Sequence, residues 1–155
     1  MNRRESWVLI IDRIGYSPAF ALQKKLVEAR AQEKIKDTFI LLEHDPVFTA
    51  NRDSTFRNIL YPREVLAREG IEVCRTDRGG DVTYHGPGQI TGYLILDLTQ
   101  FGRDLHAYIR NVEQLLIDAL AAFGIQGTRD KQHPGVWVGH EKIAAIGIAV
   151  KSGWI

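Results

Sequence analysis

Residues 78–98 read RGGDVTYHGPGQITGYLILDL. The first half crowds four glycines and a proline around Arg78, Asp81 and His85, and the second half is a long apolar run. Glycine accepts positive φ and Pro87 fixes its own φ, so the backbone here turns instead of winding. A strand is predicted directly afterwards, over 89–98. That order is restrictive, because a phosphate-gripping loop or a dinucleotide fingerprint opens a helix after its glycines, and the Lys-Ser/Thr of a P-loop is also missing. The residues themselves leave two readings open. Either the glycines make a series of β-turns, or they let backbone N–H groups approach a ligand at which Arg78, Thr83 and His85 aim polar groups from a rigid sheet.

The surrounding elements are mixed in kind. Residues 6–11, rich in Val, Ile and Trp, predict a buried strand. SPAFALQKKLVEARAQEK offers Ser17 as N-cap and Pro18 at the first helical position, and Phe20, Leu22, Leu26 and Ala29 can share a face. DTFILLEH reads as a second strand. DPVFTANRDSTFRNIL, opened by Asp45-Pro46, predicts a long loop. YPREVLAREG is a short helix between Pro62 and Gly70, and IEVCRT a strand. Leu105, Tyr108, Ile109, Val112, Leu115, Leu116, Leu120 and Phe123 fall at helical spacing over 104–123, with Gly124 as the stop. GVWVGHEKIAAIGIAV reads as a hairpin turning at 139–141. Because strands and helices do not alternate regularly, the expected class is α+β, a mixed β-sheet flanked by helices. The 155 residues fit one domain, spanning 1–155.

Composition excludes some functions. A net charge of +1 supplies no basic stripe, so no nucleic-acid partner is expected. Asp12 and Arg13 end the apolar run at 7–11 well short of a signal-peptide core, and no stretch approaches the ~20 apolar residues of a membrane span. No membrane partner is therefore expected. One cysteine, Cys74, forms no internal disulfide, which suits a reducing cytoplasm. His44, His106, His133 and His140 match no short ligand spacing, so no metal is expected. A monomer is the default expectation.

RGGDVTYHGPGQITGYLILDL resembles the signature of the lipoyl(octanoyl) transferases. GVWVGHEKIAAIG is similar to that family's second block, and EHDPVFTANR, residues 43–52, to a third. The resemblance implies a fold shared with biotin and lipoate protein ligases, and an enzyme that moves octanoyl from octanoyl-acyl carrier protein to a lysine of lipoyl domains. The acceptors it implies are the lipoyl domains of 2-oxoacid dehydrogenases and the glycine cleavage H protein, and it implies no cofactor. It places substrate contacts at Arg78, Gly79, Gly80, Asp81, Val82, Thr83, Tyr84 and His85, and again at Ala145, Ile146 and Gly147. His85 and Thr83 are expected to orient the thioester, the glycines to make room for the acyl chain, and Tyr84 either to pack or to contact substrate.

Lys142 matches the family's catalytic lysine, which lowers the pKa of a nucleophilic cysteine. Burial among Ile143, Ala144 and Ile146 is expected to assist it. The family's cysteine lies beyond residue 155, and AVKSGWI ends on Trp154 and Ile155 in the approach to another strand. The expectation is a C-terminally incomplete domain, inactive as it stands. Cys74 is expected to be a buried structural thiol. Two other readings stay open: an ATP-dependent lipoate or biotin-type ligase, and a non-catalytic module that binds acyl groups or their carrier protein.

Overall fold

Ser6–Ile14 forms strand β1, Tyr16–Ala31 helix α1 and Asp37–His44 strand β2 of a computed structural model that describes residues 5–51, 56–102, 104–130 and 132–149. Strand β3 (Val47–Ala50), helix α2 (Arg63–Arg68) and strands β4 (Glu72–Arg75), β5 (Thr83–His85) and β6 (Thr91–Ile95) follow. These elements form one body, residues 5–97, and Leu98–Ile148 forms a second.

In the first body β1 pairs parallel to β2, and β2 pairs antiparallel to β6. Strand β3 likewise pairs parallel to β4 and antiparallel to β5. The mixed pairing agrees with the α+β expectation. Among the described residues it is divided over three-stranded sheets, two of them in this body. Helix α1 lies on the first sheet, with Ala19, Ile40, Leu42 and Ile95 at the centre of the core and Leu26, Val27 and Tyr93 packed around them. Its C-terminal end is tied to the start of β2 by a buried ion pair, Arg30 Nε to Asp37 Oδ1 at 2.7 Å.

Several expectations need correction. Gly15, not Ser17, is the N-cap of α1, because the helix starts at Tyr16, whose ring is buried. The Ser17 hydroxyl instead donates to Glu72 Oε1 at 3.4 Å. Ala19 is buried and half-buried Leu26 and Val27 pack with it on the core; of the residues expected to share a face, Phe20, Leu22 and Ala29 are half-buried but only Leu26 joins that core. Strand β1 is not buried: it is an edge strand, and Trp7, Val8 and Ile10 are exposed. The long loop predicted after Asp45-Pro46 contains β3, since Val47 and Thr49 alternate inward and are wholly buried. The glycine segment is not turns throughout, because Thr83–His85 adds strand β5. The strand expected over 89–98 is shortened to Thr91–Ile95. The strand expected from AVKSGWI falls on 150–155, outside the described residues apart from Ala149.

The second body opens with a single 3-10 turn at Leu98–Phe101, followed by helix α3 (Leu105–Ala121) and strands β7 (Thr128–Arg129), β8 (Gly135–Val138) and β9 (Glu141–Ala145). Asp104 caps α3 by accepting from the Ala107 N–H at 3.0 Å, and Gly124 ends it at φ +74. Strands β7, β8 and β9 form an antiparallel sheet, and the β8–β9 hairpin turns where expected. No signal in the sequence pointed to the two-residue β7. Among the described residues no helix is long and apolar enough to cross a membrane.

Candidate active site

The first body gathers its polar side chains where β2, β3, β5 and β6 meet. Thr49 lies opposite Thr83 in the β3–β5 register, which brings the block at 43–52 against the glycine segment. Arg78 fixes this arrangement. Its guanidinium donates to the carbonyls of Gly79 and Asp81, each at 3.0 Å, and to the Thr49 carbonyl at 3.1 Å and hydroxyl at 3.0 Å. All four acceptors are neutral. Arg78 is half-buried, and burial pulls its pKa down from the ordinary arginine value. Gly80 turns the loop at φ +99, a conformation that disfavours a side chain. Asp81 accepts from the Val82 N–H at 2.7 Å and from Asn58 Nδ2 at 2.9 and 2.8 Å, and these bonds hold its carboxyl below the usual range.

Two histidines stand at the centre. His44, wholly buried, has Nδ1 2.9 Å from the Ile14 carbonyl and Nε2 2.6 Å from the Tyr93 hydroxyl. A carbonyl only accepts, so Nδ1 carries the proton and Nε2 receives the Tyr93 hydroxyl. The pKa directions agree with that assignment, because burial lowers His44 and raises Tyr93. The rings of Tyr16, His85 and Tyr93 surround His44 with centroids at 5.4, 5.5 and 5.9 Å. His85 Nδ1 lies 2.7 Å from Gln89 Oε1, and burial chiefly lowers the His85 pKa as well. With Nδ1–H donating to Gln89, the His85 Nε2 lone pair remains to accept a proton or a hydrogen bond.

Of the expected substrate contacts, Arg78, Gly79, Gly80, Asp81, Val82, Thr83 and His85 form this cluster. Tyr84 is in packing contact, its ring 5.1 Å from that of Phe48 and 41% exposed. No separate signal singled out Glu43, Thr49, Gln89 and Tyr93, and His44 was weighed only as a metal ligand, although each lies within 43–52 or 78–98. Glu43 Oε2 accepts from the Gly88 N–H at 2.8 Å and holds the end of the glycine segment to β2. Tyr16 had no signal in the sequence.

Lys142, Ala145, Ile146 and Gly147 belong to the second body. Lys142 lies on β9 opposite Trp137, with Nζ 5.4 Å from the centre of the indole ring. The expected burial among Ile143, Ala144 and Ile146 is absent, since Lys142 and Ile143 are both exposed. A bulge explains this: Val136 pairs with Ala144 and Trp137 with Lys142, so Ile143 is the extra residue. The bulge puts Lys142 on the side of Trp137 and Ala144 on the side of the wholly buried Val136. Ala145 ends β9 opposite Gly135, and Ile146 and Gly147 continue without regular structure.

Cys74, on β4 opposite Thr49, is half-buried with Sγ 3.8 Å from the Ser17 hydroxyl. Burial pushes its thiol pKa up, and a neutral thiol is a poor nucleophile. The thiol expected to be buried is therefore only half-buried, and its raised pKa disfavours the thiolate.

In the first body, a neutral imidazole and a guanidinium held by neutral oxygens suit acyl transfer, in which negative charge develops on oxygen and a proton must move. Comparison with known proteins agrees with that class. Residues 15–155 match the lipoyl protein ligase A/B catalytic domain, and the chain belongs to that family.

Within it, the octanoyltransferase of Solibacter usitatus is 46% identical over 145 residues, covering 94% of this chain and 66% of that protein. The octanoyltransferase of Caldicellulosiruptor saccharolyticus is 46% identical over 150 residues, covering 96% and 63%. The chain thus spans slightly less than two thirds of these relatives' length. Among solved structures, a lipoate-protein ligase A bound with ATP superposes with TM-score 0.71 at 18% identity, covering 97% of this chain and 63% of the other. A bipartite lipoate protein ligase from Thermoplasma acidophilum gives 0.70 at 16%, covering 98% and 59%. At such identities the likeness establishes the fold, which is the ligase-like fold expected.

Proposed function

We propose that this chain is the greater part of an octanoyltransferase that moves octanoyl from octanoyl-acyl carrier protein to a lysine of lipoyl domains, those of 2-oxoacid dehydrogenases and of the glycine cleavage H protein among them. The observation that carries this reading is the 46% identity to octanoyltransferases over nearly the whole chain. In the first step a cysteine thiolate attacks the octanoyl thioester and expels the carrier thiolate. In the second, the acceptor lysine amine attacks the acyl-enzyme, forms the amide and returns the enzyme thiolate, while its proton leaves with a base.

Cys74 is not that thiol, and the nucleophile is assigned to a cysteine outside residues 1–155. The Lys142 ammonium favours the thiolate by its charge, gives its proton to the departing carrier thiolate, and as the free amine then takes the proton released by the acceptor lysine. Arg78, Gly79, Gly80, Asp81, Val82, Thr83, Tyr84 and His85 form one substrate-contacting patch, and Ala145, Ile146 and Gly147 a second. No cofactor is required by either step.

Incubating the full-length protein with octanoyl-acyl carrier protein and a lipoyl domain, then weighing the domain by mass spectrometry, tests this. The expected product carries one octanoyl group and forms without ATP. Modification only with free octanoate and ATP would assign the ligase reaction. Octanoyl-carrier binding with no acyl-enzyme and no product would leave a binding module.

A further inference from the structure

Glu113 is the one wholly buried carboxylate among the described residues, and the proposed reaction makes no use of it. It sits in the middle of α3. Its Oε2 accepts from Arg110 Nη1 at 2.7 Å and lies 3.3 Å from Arg129 Nε in an ion pair, while its Oε1 accepts from the Gly135 N–H at 3.0 Å. Arg129 also donates through Nη2 to the Arg110 carbonyl at 3.2 Å and to Gln114 Oε1 at 2.6 Å. One carboxylate therefore joins α3, β7 and the first residue of β8.

The far side of that first residue is the platform for Lys142. Gly135 stands at φ +137, where a side chain is strained. A Cβ built on it would lie 2.5 Å from Lys142 Cε, 2.5 Å from the Ala144 carbonyl oxygen and 3.3 Å from Lys142 Nζ. The lysine stem thus lies directly on the bare Gly135 backbone, and its ammonium reaches the Trp137 ring. A glycine held only by the hairpin could drift, since it has no side chain to pack. The hydrogen bond from its N–H to a buried, doubly ion-paired carboxylate removes that freedom.

We propose that Glu113 is a positioning residue for Lys142: through Gly135 it sets the floor on which the lysine stem rests, and so the place of the ammonium. The position is a property of the second body alone. Its consequence for catalysis rests on the role proposed for Lys142.

The test has two readouts. In the full-length protein, the ε-methylene protons of Lys142 are followed by NMR, where the Trp137 ring shifts them upfield. Glu113→Ala is expected to lose that shift while α3 remains helical by circular dichroism. Glu113→Gln, which keeps an acceptor for the Gly135 N–H, is expected to retain it. Should Glu113→Ala not fold, Glu113→Asp draws the carboxylate back by one methylene, and the same loss is expected. Unmoved Lys142 resonances in a folded Ala or Asp variant overturn the proposal.

In the full-length protein, Glu113→Ala is expected to slow formation of the acyl-enzyme on the order of a hundredfold, the effect of a misplaced catalytic group. It should also displace the pH profile of that step upward, with KM for the octanoyl carrier little changed. An unshifted profile overturns the link to catalysis. If instead Lys142→Ala leaves acylation intact, the proposed function of Lys142 fails while the NMR result still decides the positioning.

Discussion

Replacing His44 with phenylalanine keeps a ring among Tyr16, His85 and Tyr93 but removes both of its hydrogen bonds. The Ile14 carbonyl, now 2.9 Å from Nδ1, and the Tyr93 hydroxyl, 2.6 Å from Nε2, each lose a partner. A buried polar group left unsatisfied costs about 1–3 kcal/mol, so the pair predicts a loss of about 2–6 kcal/mol. Urea unfolding monitored by far-UV circular dichroism measures it. A double-mutant cycle then isolates the Tyr93 contact. In the parent, Tyr93→Phe strands the His44 lone pair and is expected to cost about 1 kcal/mol. In the His44→Phe background the same change removes a stranded hydroxyl and is expected to be neutral or favourable. Equal effects of Tyr93→Phe in both backgrounds, or no loss in His44→Phe, would refute the reasoning.

Acid is expected to act through the same cluster. The pKa values of His44 and His85 are both lowered by burial from 6.5, so below that pH the unfolded chain takes up protons before the folded one. Stability should be fully present above the unfolded value and fall with pH through the folded values. Urea midpoints at descending pH check this, and rising stability on acidification would contradict it. Gly135→Ala meets a backbone oxygen at 2.5 Å and an unfavourable φ together, so a loss of at least about 1–3 kcal/mol is expected by the same unfolding assay. Cys74 should react with iodoacetamide more slowly than a free thiol near neutral pH, because burial raises its pKa and the thiolate is the reactive form. Rapid labelling would remove it from the structural role.

How much of the fold could be read from the residues depends on where the information lay. Residues 104–123 announced α3 because apolar groups recurring with a 3.6-residue period fit one face of a helix and no strand, and Asp104 and Gly124 marked its ends. The first turn of α1 misled, because Ser17 is a good cap in isolation. Burial of Tyr16 outweighed that local preference and started the helix earlier. Strand β3 was hidden because Asp45-Pro46 signals a break without saying how short it is. The exposure of β1 could not be read from its apolar residues, since what covers a strand is a tertiary fact.

In the candidate site, the segments 43–52 and 78–98 already contained Glu43, His44, Thr49, Gln89 and Tyr93. Their roles needed the register that puts Thr49 opposite Thr83 and the ring contacts that bring His44 to His85. Lys142 was found by resemblance, but its exposure was not foreseen, because the bulge at Ile143 reverses the alternation a regular hairpin would show. Glu113 did leave a trace: a carboxylate on the apolar stripe between Val112 and Leu116.

The most direct test of the account is single-turnover acylation of the full-length protein by octanoyl-acyl carrier protein, read by intact mass with Lys142 and Lys142→Met side by side. The account predicts one octanoyl group on the parent, labile to hydroxylamine as a thioester is, formed without ATP and unaffected by Cys74→Ser. Lys142→Met is expected to form it on the order of a hundredfold more slowly. An acyl-enzyme that disappears with Cys74→Ser, or that forms equally fast without the lysine, would contradict it.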